Sequence, residues 1–259
     1  MRKSTKSNWE NFWRSKSNVR EVYSNADRIV RNLSAVTDLE RKRILEIGAG
    51  TGRDSFALVK LGAEVVQLDY SDASLEIIRG LLNEEGISVQ LIQADAFSLP
   101  FPNQTFDVVF HQGLLEHFRK KDARKLLAEN VRVLKRGGLL LVDVPQRYHI
   151  YTMIKHILIL FNRWFAGWER EFSIGELRRV LKSQGLQVIH SYGEWMYPSL
   201  CYRILRELVV KLGIRLPMYP RFGGNLSDLR KHIREKAWKL PVALYTSISI
   251  GVIARKGWF

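Results

Sequence analysis

The chain of 259 residues is poor in cysteine, in acidic residues and in long apolar runs. Its one cysteine, Cys201, excludes an internal disulfide and a zinc site built on cysteines, and suits a reducing cytoplasm. No uninterrupted apolar stretch reaches the ~18 residues of an ordinary membrane-spanning helix. The opening MRKSTKSNWENFWRSK has no apolar segment of signal-peptide length. Internal repeats and low-complexity linkers are also missing. What is present, 46% hydrophobic and 11% aromatic residues, can bury a full core, which argues against a disordered chain.

The shortage of acids is local. Overall, 41 Lys+Arg against 26 Asp+Glu give a net charge of +15. Residues 1–43 carry +6, residues 44–144 carry −3, residues 145–241 carry +10 and the last 18 add +2. A positive field flanking a mildly acidic centre suits an anionic substrate, a nucleic acid or an anionic membrane surface. A solvated basic surface that only keeps the chain soluble explains it equally.

Within that centre the segment ILEIGAGTG, Ile44 to Gly52, reads as a short buried strand followed by a glycine turn into a helix. Such a turn leaves free N–H groups at a helix N-terminus, where a cofactor carboxylate or phosphate can bind. Asp69 closes a second apolar run, Val65 to Leu68, and so sits at the tip of the neighbouring strand. A carboxylate there can accept hydrogen bonds from both hydroxyls of a ribose. The spacing is GxGxG rather than the GxGxxG of dinucleotide binders, and Glu46 stands two residues before the first glycine. An acid in that place opposes a pyrophosphate and suits a cofactor with an ammonium group.

This loop resembles the first motif of class I S-adenosylmethionine-dependent methyltransferases, and the later segments continue the resemblance. Val89 to Ala96 looks like a third strand ending in Asp95, which in that family faces the adenine amino group. Leu99-Pro100-Phe101 followed by Phe106-Asp107-Val108-Val109 is similar to the family's fourth strand. Val133 to Val142, with Gly137-Gly138, is similar to its fifth. The four motifs, in order over Ile44 to Val142, place the chain nearest the methyltransferase type 11 group. The resemblance implies S-adenosylmethionine as cofactor. It also implies a Rossmann-like, doubly wound α/β sheet of seven strands, with the last antiparallel. Glu46, Gly48, Ala49, Gly50, Gly52, Asp69, Tyr70, Asp95, Ala96 and Gln112 are then the expected cofactor contacts.

The alternation of short elements supports the same architecture: strands at 44–47, 64–68, 88–93, 106–110 and 138–144, with helices at 53–61, 72–83 and 122–134. A helix from Ile174, strand 186–189 and a final strand at 247–254 complete it. Residues 1–43 form an N-terminal helical cap, with Trp9, Phe12, Trp13, Val19, Val22 and Tyr23 on one or two helices over 8–36. These pack either over the cofactor mouth or on the sheet. Residues 44–259 form the methyltransferase domain, with helical insertions at about 146–170 and 194–241.

Methyl transfer needs a positioned acceptor and, where a proton must leave, a base. His111 after strand four and His149 after strand five are the candidate bases, against the alternative of structural histidines. Quinone O-methyltransferases resembling this chain carry E-x-x-E-H after strand four, a cluster able to hold a divalent metal. Here Gly113 replaces the first glutamate, so Glu116-His117 are two ligands only and no metal is expected. The N/D-P-P-Y/F/W motif of amino-methylating nucleic-acid enzymes is replaced by His111-Gln112-Gly113-Leu114, which disfavours a nucleobase acceptor. In the first insertion Ile150, Ile154, Ile157, Leu158, Phe161, Trp164, Phe165 and Trp168 make one apolar stripe if helical. Such a helix is a lid, a subunit contact or an interfacial helix on an anionic membrane. The acceptor is expected to be a small hydrophobic or anionic molecule, with a lipid-linked one included. Its rivals are RNA held by the basic flanks, or a cofactor-binding scaffold without chemistry.

Overall fold

The computed structural model describes residues 4–15, 27–195, 199–210, 212–217, 232–233, 236–238 and 240–258. Strands β1 (Arg43–Ile47), β2 (Glu64–Asp69), β3 (Gln90–Gln93), β4 (Phe106–Gln112) and β5 (Leu134–Pro145) are parallel. β6 (Leu186–Glu194) and β7 (Ser249–Lys256) complete a seven-stranded sheet of order β3-β2-β1-β4-β5-β7-β6, in which β7 runs antiparallel to both neighbours. The expected doubly wound architecture therefore stands.

Helices α3 (Arg53–Lys60), α4 (Asp72–Glu85), α5 (Lys120–Val133) and α7 (Ile174–Lys182) cover the two faces. Because side chains alternate along a strand, each strand feeds both cores. Leu45, Ile47, Val66 and Val109 pack with Leu126 of α5 and Leu177 of α7. Ile44, Val65, Val108 and Phe110 pack on the opposite face with Leu58 of α3. Local signals set the helix ends: Ser71 caps α4 by accepting from the Ser74 N–H at 3.2 Å, and the left-handed Gly86 stops it.

The two helices before β1 divide the expected roles. Ile29 and Leu33 of α2 (Arg28–Ser34) are buried in the second core, so α2 packs on the sheet. α1 (Lys6–Arg14) instead lies on the N-terminus of α4, where the Glu10 carboxylate accepts from the backbone N–H of Asp72 at 2.8 Å and Ala73 at 3.3 Å. Val19, Val22 and Tyr23 lie outside the described residues.

The first insertion differs from its expected single stripe. α6 covers only Ile150–Leu160, and Asn162 turns left-handed (φ 57°) just beyond it. Trp164, Phe165 and Trp168 therefore leave the helix and fold back beneath it, where Trp164 Nε1 donates to Glu169 at 2.8 Å. Of the second insertion, α8 (Leu200–Val210) is described, and residues 218–231 lie outside the described residues.

One close approach positions a charge near the carboxyl end of β5. Tyr192 lies against Gly251, where a Cβ would come within 2.0 Å of its ring. Its hydroxyl donates to Asp143 at 2.9 Å, and Asp143 faces Arg28 at 3.4 Å.

Candidate active site

The order of strands reverses between β1 and β4, which opens a crevice at their carboxyl ends. Gly48, Gly50 and Gly52 all have positive φ (66°, 58° and 68°), a backbone path that side chains oppose. The loop is braced from β2. Gly48 N–H donates to the Leu68 carbonyl at 2.8 Å, and Gly50 N–H donates to Asp69 Oδ2 at 2.9 Å. Asp69 Oδ1 accepts from the Ser71 N–H at 2.9 Å. Each carboxylate oxygen thus keeps acceptor capacity after its backbone bond.

A cavity of ≈ 220 Å³ lies against this loop. Gly48, Gly50, Asp69 and Tyr70 border it on one side, Asp95, Ala96, Phe97 and Phe118 on another, and Lys6, Trp9 and Trp13 of α1 complete it. Gln112, Gly113, Leu114 and His117 line its deep end, where Gln112 Oε1 is buried with no hydrogen-bond partner. These features fit a nucleoside with an amino-acid tail. Asp69 would take the ribose hydroxyls, the aromatic Phe97 and Phe118 would border the base, and the glycine loop leaves room for the tail. Because Glu10 holds α1 over this mouth, Glu10→Ala should loosen the cover by about 1 kcal/mol. Isothermal titration should then show S-adenosylhomocysteine binding about fivefold weaker. Unchanged affinity would mean that α1 does not lie over the bound cofactor.

A second chamber of ≈ 480 Å³ adjoins the first. The two share Trp9, Gln112, Gly113 and His117. Phe12, Tyr151, Trp164 and Phe165 give the second chamber aromatic walls, and Arg28 and Asp143 border it. Glu116, His117, Lys155 and Glu169 also border it. Here Lys155 Nζ binds Glu169 and Glu171 carboxylates at 2.7 Å each, and His117 Nδ1 lies 3.9 Å from Glu169. Trp9 stands edge-on to His117, with ring centroids 4.8 Å apart.

Burial controls the protonation of this cluster. It lowers His117 below 6.5, so the imidazole is neutral at pH 7. It raises Glu116 well above 4.5, helped by the neighbouring Glu169 charge, which favours its protonated form. Burial would raise Glu169 too, but His117 and Lys155 bring it below 4.5. A neutral imidazole, a carboxyl biased toward its protonated form and a buried lysine–carboxylate cluster therefore lie together at one chamber.

The sequence-based candidates fall into three groups. Gly48, Gly50, Asp69, Tyr70, Asp95, Ala96 and Gln112 line the first cavity. Glu46, Ala49 and Gly52 do not line it but support it from below. Glu46 accepts from Ser55 Oγ at 2.5 Å and Gln67 Nε2 at 2.8 Å, and burial with the nearby Asp54 pushes its pKa up to about 8. Gln67 also donates to the Gly52 carbonyl at 2.6 Å. The proposed bases His111 and His149 need correction, since neither lines either chamber. Strand alternation turns His111 toward the face of Val109, where burial lowers it to about 3. His149 is the N-cap of α6, its Nδ1 accepting from the Tyr151 N–H at 3.1 Å.

His117, set aside with the metal question, lines both chambers instead. Among the described residues no group of three or more His, Cys, Asp or Glu could hold a metal ion. Sequence reasoning missed Arg28, Asp143, Lys155 and Glu169. The available signal was a lysine within an apolar helix, followed by Glu169, Glu171 and Glu176 in an otherwise basic segment.

Comparison with known proteins places this geometry. A family model described as a methyltransferase domain matches residues 45–142. The uncharacterised methyltransferase YcgJ of Bacillus subtilis (strain 168) is 37% identical over 195 residues, covering 74% of this chain and 69% of that protein. A demethylmenaquinone methyltransferase of Clavibacter sepedonicus is 39% identical over 113 residues, covering 44% of this chain and 45% of that one. The chain thus matches under half the length of that relative. The solved Burkholderia thailandensis 1,6-didemethyltoxoflavin-N1-methyltransferase, with its substrate and S-adenosylhomocysteine bound, shares the fold at TM-score 0.61 and 15% identity, over 97% of this chain and 87% of that one.

Proposed function

The chain belongs to the class I S-adenosylmethionine-dependent methyltransferases, in the type 11 group, and from that premise we propose that it methylates a small hydrophobic or anionic acceptor held in the second chamber. The reading extends to acceptors carried on a lipid, and to a cytoplasmic enzyme. One observation carries it: the two chambers meet across Trp9, Gln112, Gly113 and His117. A methyl donor in the first and an acceptor in the second would face each other there.

When bound, S-adenosylmethionine supplies an activated methyl group and its own sulfur leaving group. The protein's share is placement and proton handling. Trp9, Phe12 and Trp164 enclose an apolar ring and exclude water. Protonated Glu116 donates a hydrogen bond to an acceptor oxygen, and neutral His117 takes the proton lost on methylation. Glu169 then faces the resulting imidazolium and steadies it. The chamber sets Arg28 and Lys155 against Asp143 and Glu169, so it has no excess of positive charge to grip a phosphodiester chain. That balance favours a small acceptor over RNA.

The test uses quinol probes, chosen because one relative is a demethylmenaquinone methyltransferase, with and without an apolar tail. His117→Ala should lower kcat/KM by about 10²–10⁴-fold, far more than it weakens S-adenosylhomocysteine binding. The wild-type rate should rise with pH through the lowered His117 pKa and be level by neutrality, and the variant should lose that limb. Equal rates for the two proteins would remove His117 from the chemistry.

A further inference from the structure

α6 is built inside out. On a water-facing helix the polar side chains point outward and the apolar ones are buried. Here Lys155 is 2% exposed and Thr152 9%, while Met153 is 68%, Ile157 55% and Leu160 69% exposed. Ile150, Ile154 and Phe161 extend the same outward face. α8 repeats it, with Ile204, Leu205 and Leu208 at least half exposed. Each exposes an apolar face that water does not favour.

We propose that these faces form an interfacial seat on a lipid bilayer bearing anionic headgroups. Two observations select the occupant. The segment holding both helices carries +10, and exposed Arg163 and Arg215 follow the C-terminal ends of α6 and α8. A second copy on the same face would bring two +10 segments together, whereas anionic lipid would neutralise them. With 11 residues, α6 is about 16 Å long, too short to span a membrane and suited to lying in its surface. Among the described residues no helix is long and apolar enough to cross one.

The inward face of the same helix supplies Tyr151, Thr152 and Lys155 to the second chamber. The seat therefore lies one helix diameter, about 10 Å, from the acceptor site. A lipid-carried acceptor could reach the chamber without leaving the bilayer. That last link rests on the proposed reading of the chamber; the seat itself does not.

Co-sedimentation of the full chain with vesicles of phosphatidylcholine, with and without phosphatidylglycerol, tests the seat. The chain should bind the anionic vesicles at low salt, about tenfold more weakly at high salt, and hardly at all to neutral ones. Met153→Ser with Ile157→Ser and Leu160→Ser should weaken binding by about tenfold or more, with S-adenosylhomocysteine affinity retained to show an intact fold. Arg163→Glu with Arg215→Glu should weaken binding and flatten its salt dependence. A wild type that ignores anionic vesicles at low salt overturns the proposal. A concentration-dependent dimer that the serine variant dissolves, with vesicles ignored, would assign the face to a second copy. Neither assay needs turnover, so loss of the seat and loss of the proposed chemistry are separable.

Discussion

Lys155→Met will destabilise the protein by about 3–5 kcal/mol at neutral pH, because it removes the one ammonium between two buried carboxylates. That leaves Glu169 only Trp164 Nε1 and Glu171 only His156 Nε2 at hydrogen-bond distance. Tm should fall by roughly 10 °C. The loss has a defined pH window. Lys155 is raised above 10.5 by Glu169 and Glu171, against burial, so its contribution is complete below that pH and fades as pH climbs through the raised value. Glu169 is lowered below 4.5, so its contribution is complete above 4.5 and fades as pH falls through the lowered value. Thermal unfolding of the two proteins should therefore differ most between those limits and converge in acid. A variant as stable as the parent at pH 7 would show that the ion cluster is solvated.

Asp69→Ala should weaken S-adenosylhomocysteine binding by about 2–3 kcal/mol, near a hundredfold. Two losses combine. The N–H groups of Gly50 and Ser71 lose the carboxylate that fixes the loop, and the oxygens' remaining lone pairs are no longer there for a ribose. Isothermal titration with the deoxyribose analogue separates them. If Asp69 holds the ribose hydroxyls, the analogue should bind parent and variant with a smaller difference than the parent ligand does. Equal affinity of both proteins for S-adenosylhomocysteine would falsify the assignment.

The cofactor side was readable from sequence because its determinants are local. Three glycines within five positions and an acid closing the next strand fix a backbone path that few other residues permit, and the sheet order follows from short β–α alternation. The acceptor side was not, because proximity there is decided by tertiary packing. His111 and Gln112 are neighbours in the chain, but strand alternation sends one to the core and the other to the chamber. His117 gains its role only when the segment after α6 brings Glu169 beneath it. The stripe in the first insertion was also misjudged. Its periodicity ran through Trp168, but the left-handed Asn162 ended the helix, and α6 buries Thr152 and Lys155 beside Ile159 while most of its apolar side chains face outward.

α1 gives the protein a built-in optical signal. Trp9 and Trp13, two of the seven tryptophans, stack at 6.3 Å and border the first cavity. A purine arriving beside them should quench their emission directly, without any label. The Glu10 clasp holds that helix beside the same cavity, so the rate of quenching should rise in Glu10→Ala if α1 slows cofactor entry. A quenching rate below the turnover number in the parent, and above it in the variant, would make cofactor exchange rather than methyl transfer the slow step.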